Sequence, residues 1–230
     1  MSWIDNLLSR LCPDGVKFVE LGAIAEVATG TRPTNDELNL GGPFDYMNGG
    51  VVRSGSVARS NFDDEAITIP SRGSVGQVGF QTNPFWCGPL CFRINSKSGE
   101  IETKFLYFAL KNIQSTIVRL QQTGSIPALN KKQLISVRIP VPPLEVQREI
   151  VRVLDLFQSL EAELEAELEA RHRQYSHYAD SMLTSSLSAG EFGEVEFVSV
   201  GDICRINRGR VISRDYLRDH PGPYPVYSSQ

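Results

Sequence analysis

The sequence is poor in the features that mark several familiar protein classes. Cysteine occurs four times in 230 residues, at positions 12, 87, 91 and 204, too few and too scattered for the disulfide framework of a small secreted domain. Histidine occurs three times, as His172, His177 and His220. All three are remote in sequence from Cys87 and Cys91, which therefore read as two buried apolar thiols in preference to half of a zinc site. No apolar run is long enough to span a bilayer, and the first thirty residues lack the basic start, apolar stretch and cleavage site of a secretory leader. A cytoplasmic chain is expected.

Basic charge is scarce too: 23 Lys and Arg stand against 27 Asp and Glu, a net charge of −4. The deficit is local, however. Residues 1–143 hold 14 basic against 12 acidic side chains, 144–190 hold 4 against 9, and 191–230 hold 5 against 6. The acidity belongs to one segment, which leaves the N-terminal part able to offer a basic face to phosphates.

Complete catalytic signatures are missing. Ser71-Arg-Gly-Ser-Val-Gly-Gln-Val-Gly79 is glycine-rich but lacks the Gly-Lys-Ser/Thr ending of a phosphate-cradling loop. It reads as a tight turn feeding a strand, with Ser71 and Arg72 on an exposed loop; Arg72 is either an ordinary turn residue or a forked donor for phosphate or guanine. Asn83-Pro-Phe-Trp86 carries half of the Asn/Asp-Pro-Pro-aromatic motif of adenine methyltransferases, and without the second proline reads as a turn bearing two core aromatics. Glu102-Thr-Lys104, with Asp63-Asp64 upstream, is a faint outline of a metal nuclease, but Glu-x-Lys is common on helix faces. The histidines have no nameable triad partner. Neither an enzyme nor a bound cofactor or metal is expected.

What is present is a repeat. Residues 16–30 align without gaps on 195–209, with six identities: Val16/Val195, Phe18/Phe197, Val19/Val198, Gly22/Gly201, Ile24/Ile203 and Gly30/Gly209. Gly42-Pro-Phe and Gly222-Pro-Tyr continue the match one residue out of phase. Between the copies, residues 16–140 read as α+β: β-rich runs at Ala66–Pro70, Ser74–Phe80 and Leu90–Ile94, and helical spacing over Thr103–Gln121. Ile139-Pro-Val-Pro-Pro-Leu-Glu-Val-Gln147 then ends an extended run and opens a helix, with Pro143 suited to its first turn. The spacing of Val153, Phe157, Leu160, Leu164, Leu168, Tyr175 and Tyr178 predicts a coiled-coil stripe with one stutter near Leu164–Leu168, running to about Leu183.

Several polar loops carry the residue types that duplex reading needs. Thr29-Gly-Thr-Arg-Pro33, Tyr46-Met-Asn-Gly-Gly50, Gln122-Thr-Gly-Ser-Ile126 and Lys131-Lys132 offer Arg and Asn for base edges, Lys and Ser for phosphates, and Gly for close approach. The expected DNA face comprises Arg32, Tyr46, Asn48, Ser71, Arg72, Ser74, Gly124, Ser125, Lys131 and Lys132.

Residues 139–150, the long charged helix after them, Leu-Gly at 21–22 leading to Ala-Thr-Gly-Thr-Arg-Pro at 28–33, and Thr-Gly-Ser-Ile-Pro-Ala-Leu-Asn-Lys-Lys at 123–132 together resemble the specificity (S) subunits of type I restriction–modification enzymes. The resemblance implies a non-catalytic subunit that reads double-stranded DNA for a modification methyltransferase and a restriction-translocase. It also implies a target-recognition domain at 1–143, a helical spacer at 144–186 and the start of a second domain at 187–230. Ending inside the second domain departs from the family pattern, and a fragment, a frameshifted product and a natural half-subunit all fit. A standalone nuclease or DNA methyltransferase is the rival reading. One spacer helix leaves its stripe without an intramolecular partner, so two copies are expected to pair through antiparallel helices.

Overall fold

In the computed structural model, residues 3–38, 42–97, 99–122, 127–185, 198–205, 207, 209, 212–220 and 222 are described. The chain divides into two units, Met1–Leu164 and Glu165–Gln230.

The first unit is α+β, as expected. Its central strand, β5 (Ala66–Pro70), is buried along its whole length: β8 (Cys91–Ser96) and β6 (Gly79–Gln81) pair with its two edges, while Ile67 and Ile69 pack into one core cluster and Ala66 into another. β2 (Ala25–Thr29) completes the antiparallel order β2-β8-β5-β6. The polar member of β5, Thr68, is satisfied by Gln81 Nε2 at 3.2 Å. A second sheet sets β3 (Phe44–Met47) between β4 (Gly55–Val57) and β7 (Phe85–Cys87), the latter in parallel. Phe85 and Trp86 are both buried, so the Asn-Pro-aromatic segment is a turn with two core aromatics; Cys87 and Cys91 are buried free thiols. β1 (Lys17–Glu20) pairs antiparallel with β9 (Arg138–Val141).

Two expectations for elements between residues 66 and 121 need correcting. Ser74–Phe80 is not a strand from its start: Gly73 and Gly76 adopt φ of +78° and +75°, so the chain turns until β6 begins at Gly79. The helix expected over Thr103–Gln121 is broken at Ile113 (φ −99°, ψ 15°) into α3 (Thr103–Asn112) and α4 (Gln114–Arg119). Tertiary bonds overrule helical propensity here. Gln114 accepts the Val78 N–H at 2.9 Å and donates to Gln77 Oε1 at 2.8 Å, while fully buried Ile117 reaches the core that α3 fills with Phe105, Leu106 and Leu110.

The remaining helices of the unit are α1 (Trp3–Leu11), α2 (Leu21–Ile24), α5 (Lys131–Ile135) and the start of α6 (Leu144–Asp180). Pro143 stands just before α6, its carbonyl accepting from Val146 and Gln147 at 2.9 and 3.1 Å, one position earlier than expected. Fully buried Gln147 fixes this start. Its Oε1 accepts the Glu102 N–H at 2.9 Å, and its Nε2 donates to the carbonyls of Glu100 and Pro142 at 2.7 and 2.8 Å. Arg148–Glu102 and Lys104–Asp155 ion pairs, at 2.7 and 2.8 Å, tie α6 to α3. Glu102 and Lys104 are thus occupied as structural partners.

Helix α6 runs unbroken through the expected stutter for 37 residues, about 55 Å at 1.5 Å per residue, and passes into a π-helical turn at Ser181–Ser185.

The second unit preserves the repeat at the level of the backbone. Ahead of α2, Glu20 has φ −64°, ψ 138°, and after it Ala25 has φ −132°, ψ 148°. Around α7 (Val200–Ile203), Ser199 has φ −69°, ψ 146° and Cys204 φ −130°, ψ 138°. Leu21 and Ile24 are buried, whereas their counterparts Val200 and Ile203 are exposed. A further short helix, α8, covers Arg214–Asp219.

Candidate nucleic-acid interface

Four loops of the first unit meet around a pair of glycines. Gly49, after β3, and Gly73, after β5, approach so closely that a Cβ on Gly73 would lie 2.4 Å from the Gly49 carbonyl oxygen. The Ser74 N–H donates to that same oxygen at 2.8 Å. The third loop joins β7 to β8. Its Leu90 carbonyl accepts from the Ser71 N–H at 2.8 Å, its Leu90 N–H donates to Asn48 Oδ1 at 2.9 Å, and its Gly88 N–H donates to the Met47 carbonyl at 2.7 Å. The fourth enters through Leu129, whose N–H donates to the Ser71 carbonyl at 2.9 Å; Asn130 then caps α5 by accepting the Lys132 N–H at 2.9 Å. Tyr46, Asn48, Ser71, Arg72, Ser74, Lys131 and Lys132 therefore sit on backbones that are hydrogen-bonded to one another.

Arg32 joins them from a separate anchor. The Thr31 N–H donates to the Cys87 carbonyl at 3.0 Å, and the Thr31 carbonyl accepts Trp86 Nε1 at 2.8 Å. Asn61, which sequence reasoning missed, bridges this region: its Oδ1 accepts the Cys87 N–H at 2.7 Å and its Nδ2 donates to the Cys87 carbonyl at 3.1 Å. Half-buried Tyr46 lies near enough to Arg32 for its phenol to feel that charge. Burial raises the phenol pKa and Arg32 opposes the rise, so the hydroxyl stays a neutral donor at pH 7.

Arg32, Arg72, Lys131 and Lys132 are exposed and have no ion pair or side-chain hydrogen bond among the described residues, whereas Arg53 is paired with Asp45 at 3.2 Å, Arg59 with Glu37, and Arg93 lies over the Phe62 ring at 3.9 Å. Four uncompensated cations on mutually braced loops suit an extended polyanion. Asn48 Oδ1 accepts the Leu90 N–H, which fixes the amide and leaves one lone pair on Oδ1 for a further partner. Arg119, at the end of α4, is likewise exposed; its neighbour Val118 packs on Gly76, where a Cβ would lie 3.1 Å from the Val118 Cα. Gly124 and Ser125 lie outside the described residues.

The brace makes a direct prediction. Gly73→Ala forces a side chain into a left-handed backbone and against the Gly49 carbonyl, costing ~1–3 kcal/mol. Gly55→Ala, with nothing within 4 Å of its new Cβ, is the control. Equal melting temperatures for the two variants would refute the brace.

Loops pinned on an α+β frame, with a long helix leaving it, describe a recognition module. Residues 13–170 match the family described as the type I restriction modification DNA specificity domain, and the chain belongs to that family. A Mycoplasma pneumoniae protein named as a type I specificity subunit is 28% identical over 221 residues, covering 93% of this chain and 60% of its own length. A Haemophilus influenzae protein named as a type I restriction enzyme specificity subunit is 26% identical over 225 residues, covering 92% of this chain and 56% of its own. The chain thus spans about three-fifths of the length of these relatives. The fold is similar to the crystal structure of a type I S subunit from M. genitalium, with a TM-score of 0.61 and 22% identity over 87% of this chain and 56% of that one. Among the described residues no helix is long and apolar enough to cross a membrane, and no group of three His, Cys, Asp or Glu is placed to hold a metal.

Proposed function

We propose that this chain is the sequence-reading part of a cytoplasmic type I restriction–modification system, without catalysis of its own. It would carry a modification methyltransferase, and through it a restriction-translocase, to a split DNA site. The observation that supports this most is the set of four unpaired cations, Arg32, Arg72, Lys131 and Lys132, on loops hydrogen-bonded into one cluster. In this reading Arg72 and Arg32 reach base edges or phosphates, Lys131 and Lys132 hold phosphates, and the loop at 123–126 contributes Gly124 and Ser125. Residues 1–143 form the recognition domain, 144–186 the spacer and 187–230 the beginning of a second domain.

Two copies pair through antiparallel spacer helices. Phe157, Leu160, Leu164, Leu168, Tyr175 and Tyr178 are exposed along α6, and Val153 is half-buried. Covering each such side chain is worth ~1.5–3 kcal/mol, ample to drive association after the entropic costs. A twofold pair sets one recognition domain at each end and would read a palindromic split site.

A methylation map of cells carrying the chain with its methyltransferase tests the proposal. Modification is expected at one split sequence, and Arg72→Ala is expected to relax a single base position at a cost of ~1–3 kcal/mol. Methylation by the purified chain with S-adenosylmethionine alone, or no sequence preference with the partner, would overturn it.

A further inference from the structure

Starting from Ile150, steps of four and three residues lead through Leu154, Phe157, position 161, Leu164, Leu168, position 171, Tyr175, Tyr178 and Met182. This is an unbroken heptad seam needing no stutter, with Val153 and Leu160 on its flank. Two of its ten positions are charged: Glu161 and Arg171.

We infer that Glu161 and Arg171 lock two copies of this chain into one antiparallel register, and that the partner helix ends in an apolar groove at the root of α6. The inference rests on the helix pairing proposed above. The midpoint of Glu161 and Arg171 is Ala166, which is also the midpoint of Leu164 and Leu168, of Phe157 and Tyr175, of Leu154 and Tyr178, and of Ile150 and Met182. An antiparallel pair crossing at Ala166 therefore matches apolar with apolar in four kinds of layer and Glu161 with Arg171 in the fifth, each layer occurring twice by symmetry. A shift of one heptad sets Glu161 against Leu164 or Tyr178 and Arg171 against Leu154 or Leu168, and so places unmatched charges in apolar layers. Parallel helices would face Glu161 with Glu161 and Arg171 with Arg171. A polar pair at seam positions is a known means of fixing register at some cost in stability.

The groove supplies the second observation. A cavity of about 470 Å³ opens among α1, α3, β9 and α6, walled by Leu8, Phe105, Phe108 and Pro140, with Ile150 and Leu154 on the α6 side. That is about three times the ~150 Å³ of a cavity that takes up benzene. Ile150 and Leu154 are the first two positions of the seam, so the groove continues it. The chosen register brings the second copy's Tyr178 and Met182 to those two positions; both are exposed in the single chain, at 52% and 65%. Near the twofold axis, Glu165 and Glu167 flank the seam and meet their own copies, a repulsion that salt screens.

The test uses the full chain with Cys12→Ser and Cys204→Ser as background. Mixed Phe157→Cys and Tyr175→Cys chains should cross-link to each other through a short bismaleimide, and neither to itself. Glu161→Arg or Arg171→Glu alone should weaken dimerisation at least tenfold by sedimentation, the double charge swap should restore it, and Tyr178→Ala should weaken it through the groove. A dimer that links Phe157→Cys to itself, or whose double swap is no tighter than the single changes, overturns the lock while leaving self-association intact. A monomer at high micromolar concentration overturns both the lock and the pairing beneath it, and specific DNA binding by the partner complex is read out separately.

Discussion

Replacing Gln147 by leucine is expected to cost the N-terminal unit about 3 kcal/mol or more. The side chain is fully buried and satisfies three backbone groups, the Glu102 N–H and the carbonyls of Glu100 and Pro142. Leucine has nearly the same volume but meets none of them, and each orphaned buried group costs ~1–3 kcal/mol. Part of this is offset because the apolar replacement no longer needs its own polar atoms satisfied. For a unit of this size the loss corresponds to a fall in melting temperature of about 6–12 °C. Gln158→Leu, on the exposed part of the same helix, is the control and should shift it little. A Gln147→Leu protein that melts with wild type would mean that the helix is held by its apolar contacts and ion pairs alone.

The second large effect is on DNA binding. Lys131→Glu with Lys132→Glu is expected to weaken binding about sixtyfold at 0.1 M salt, and similarly for every sequence. Each phosphate contact adds ~0.9 to the salt slope, so losing two removes ~1.8 decades of affinity per decade of salt below 1 M. The slope of log K against log salt should flatten by the same ~1.8. Because the Asn130 side chain caps α5 on the backbone N–H of Lys132, which the substitution leaves in place, the fold should survive the change. A loss confined to the cognate sequence, or an unaltered slope, would move these lysines from phosphate holders to some other role.

How far the sequence foretold this arrangement depends on the range of the interactions involved. β5 was readable because Ala-Ile-Thr-Ile-Pro is a compact apolar run between polar turns, and α6 because 3–4 spacing persists across many turns. The break at Ile113 was not readable: it depends on Gln114 meeting Gln77 and Val78, over thirty residues away. Ser74–Phe80 misled because Val75 and Val78 advertise a strand, while Gly73 and Gly76 turn the backbone between them. The cluster was legible as residue types and only in part as roles. Arg and Lys on glycine loops stood out, but the brace that Asn48 adds by accepting the Leu90 N–H depends on a residue far along the chain, and Asn61 sits in a segment indistinguishable from any polar turn. The Pro-Pro-Leu-Glu-x-Gln lead-in was noticed as a pattern; its physical reason, the three bonds of Gln147, required the fold.

The twin segments at Glu20–Ala25 and Ser199–Cys204 bear on the order of folding events. They share cap dihedrals to within about ten degrees, although one is buried and the other exposed. A backbone that keeps its shape with and without packing is governed by short-range preference, so in the N-terminal unit it can be in place before β9 and α5 arrive. Much of the conformational entropy of those six residues would then be lost locally, so that the docking of Leu21 and Ile24 would begin from a partly ordered edge. Gly22 makes that docking close, since a Cβ there would stand 3.0 Å from Ile135 Cβ, whereas at Gly201 the nearest described atom is Ser199 Oγ at 3.8 Å. The same turn thus serves as a template for docking in the N-terminal unit.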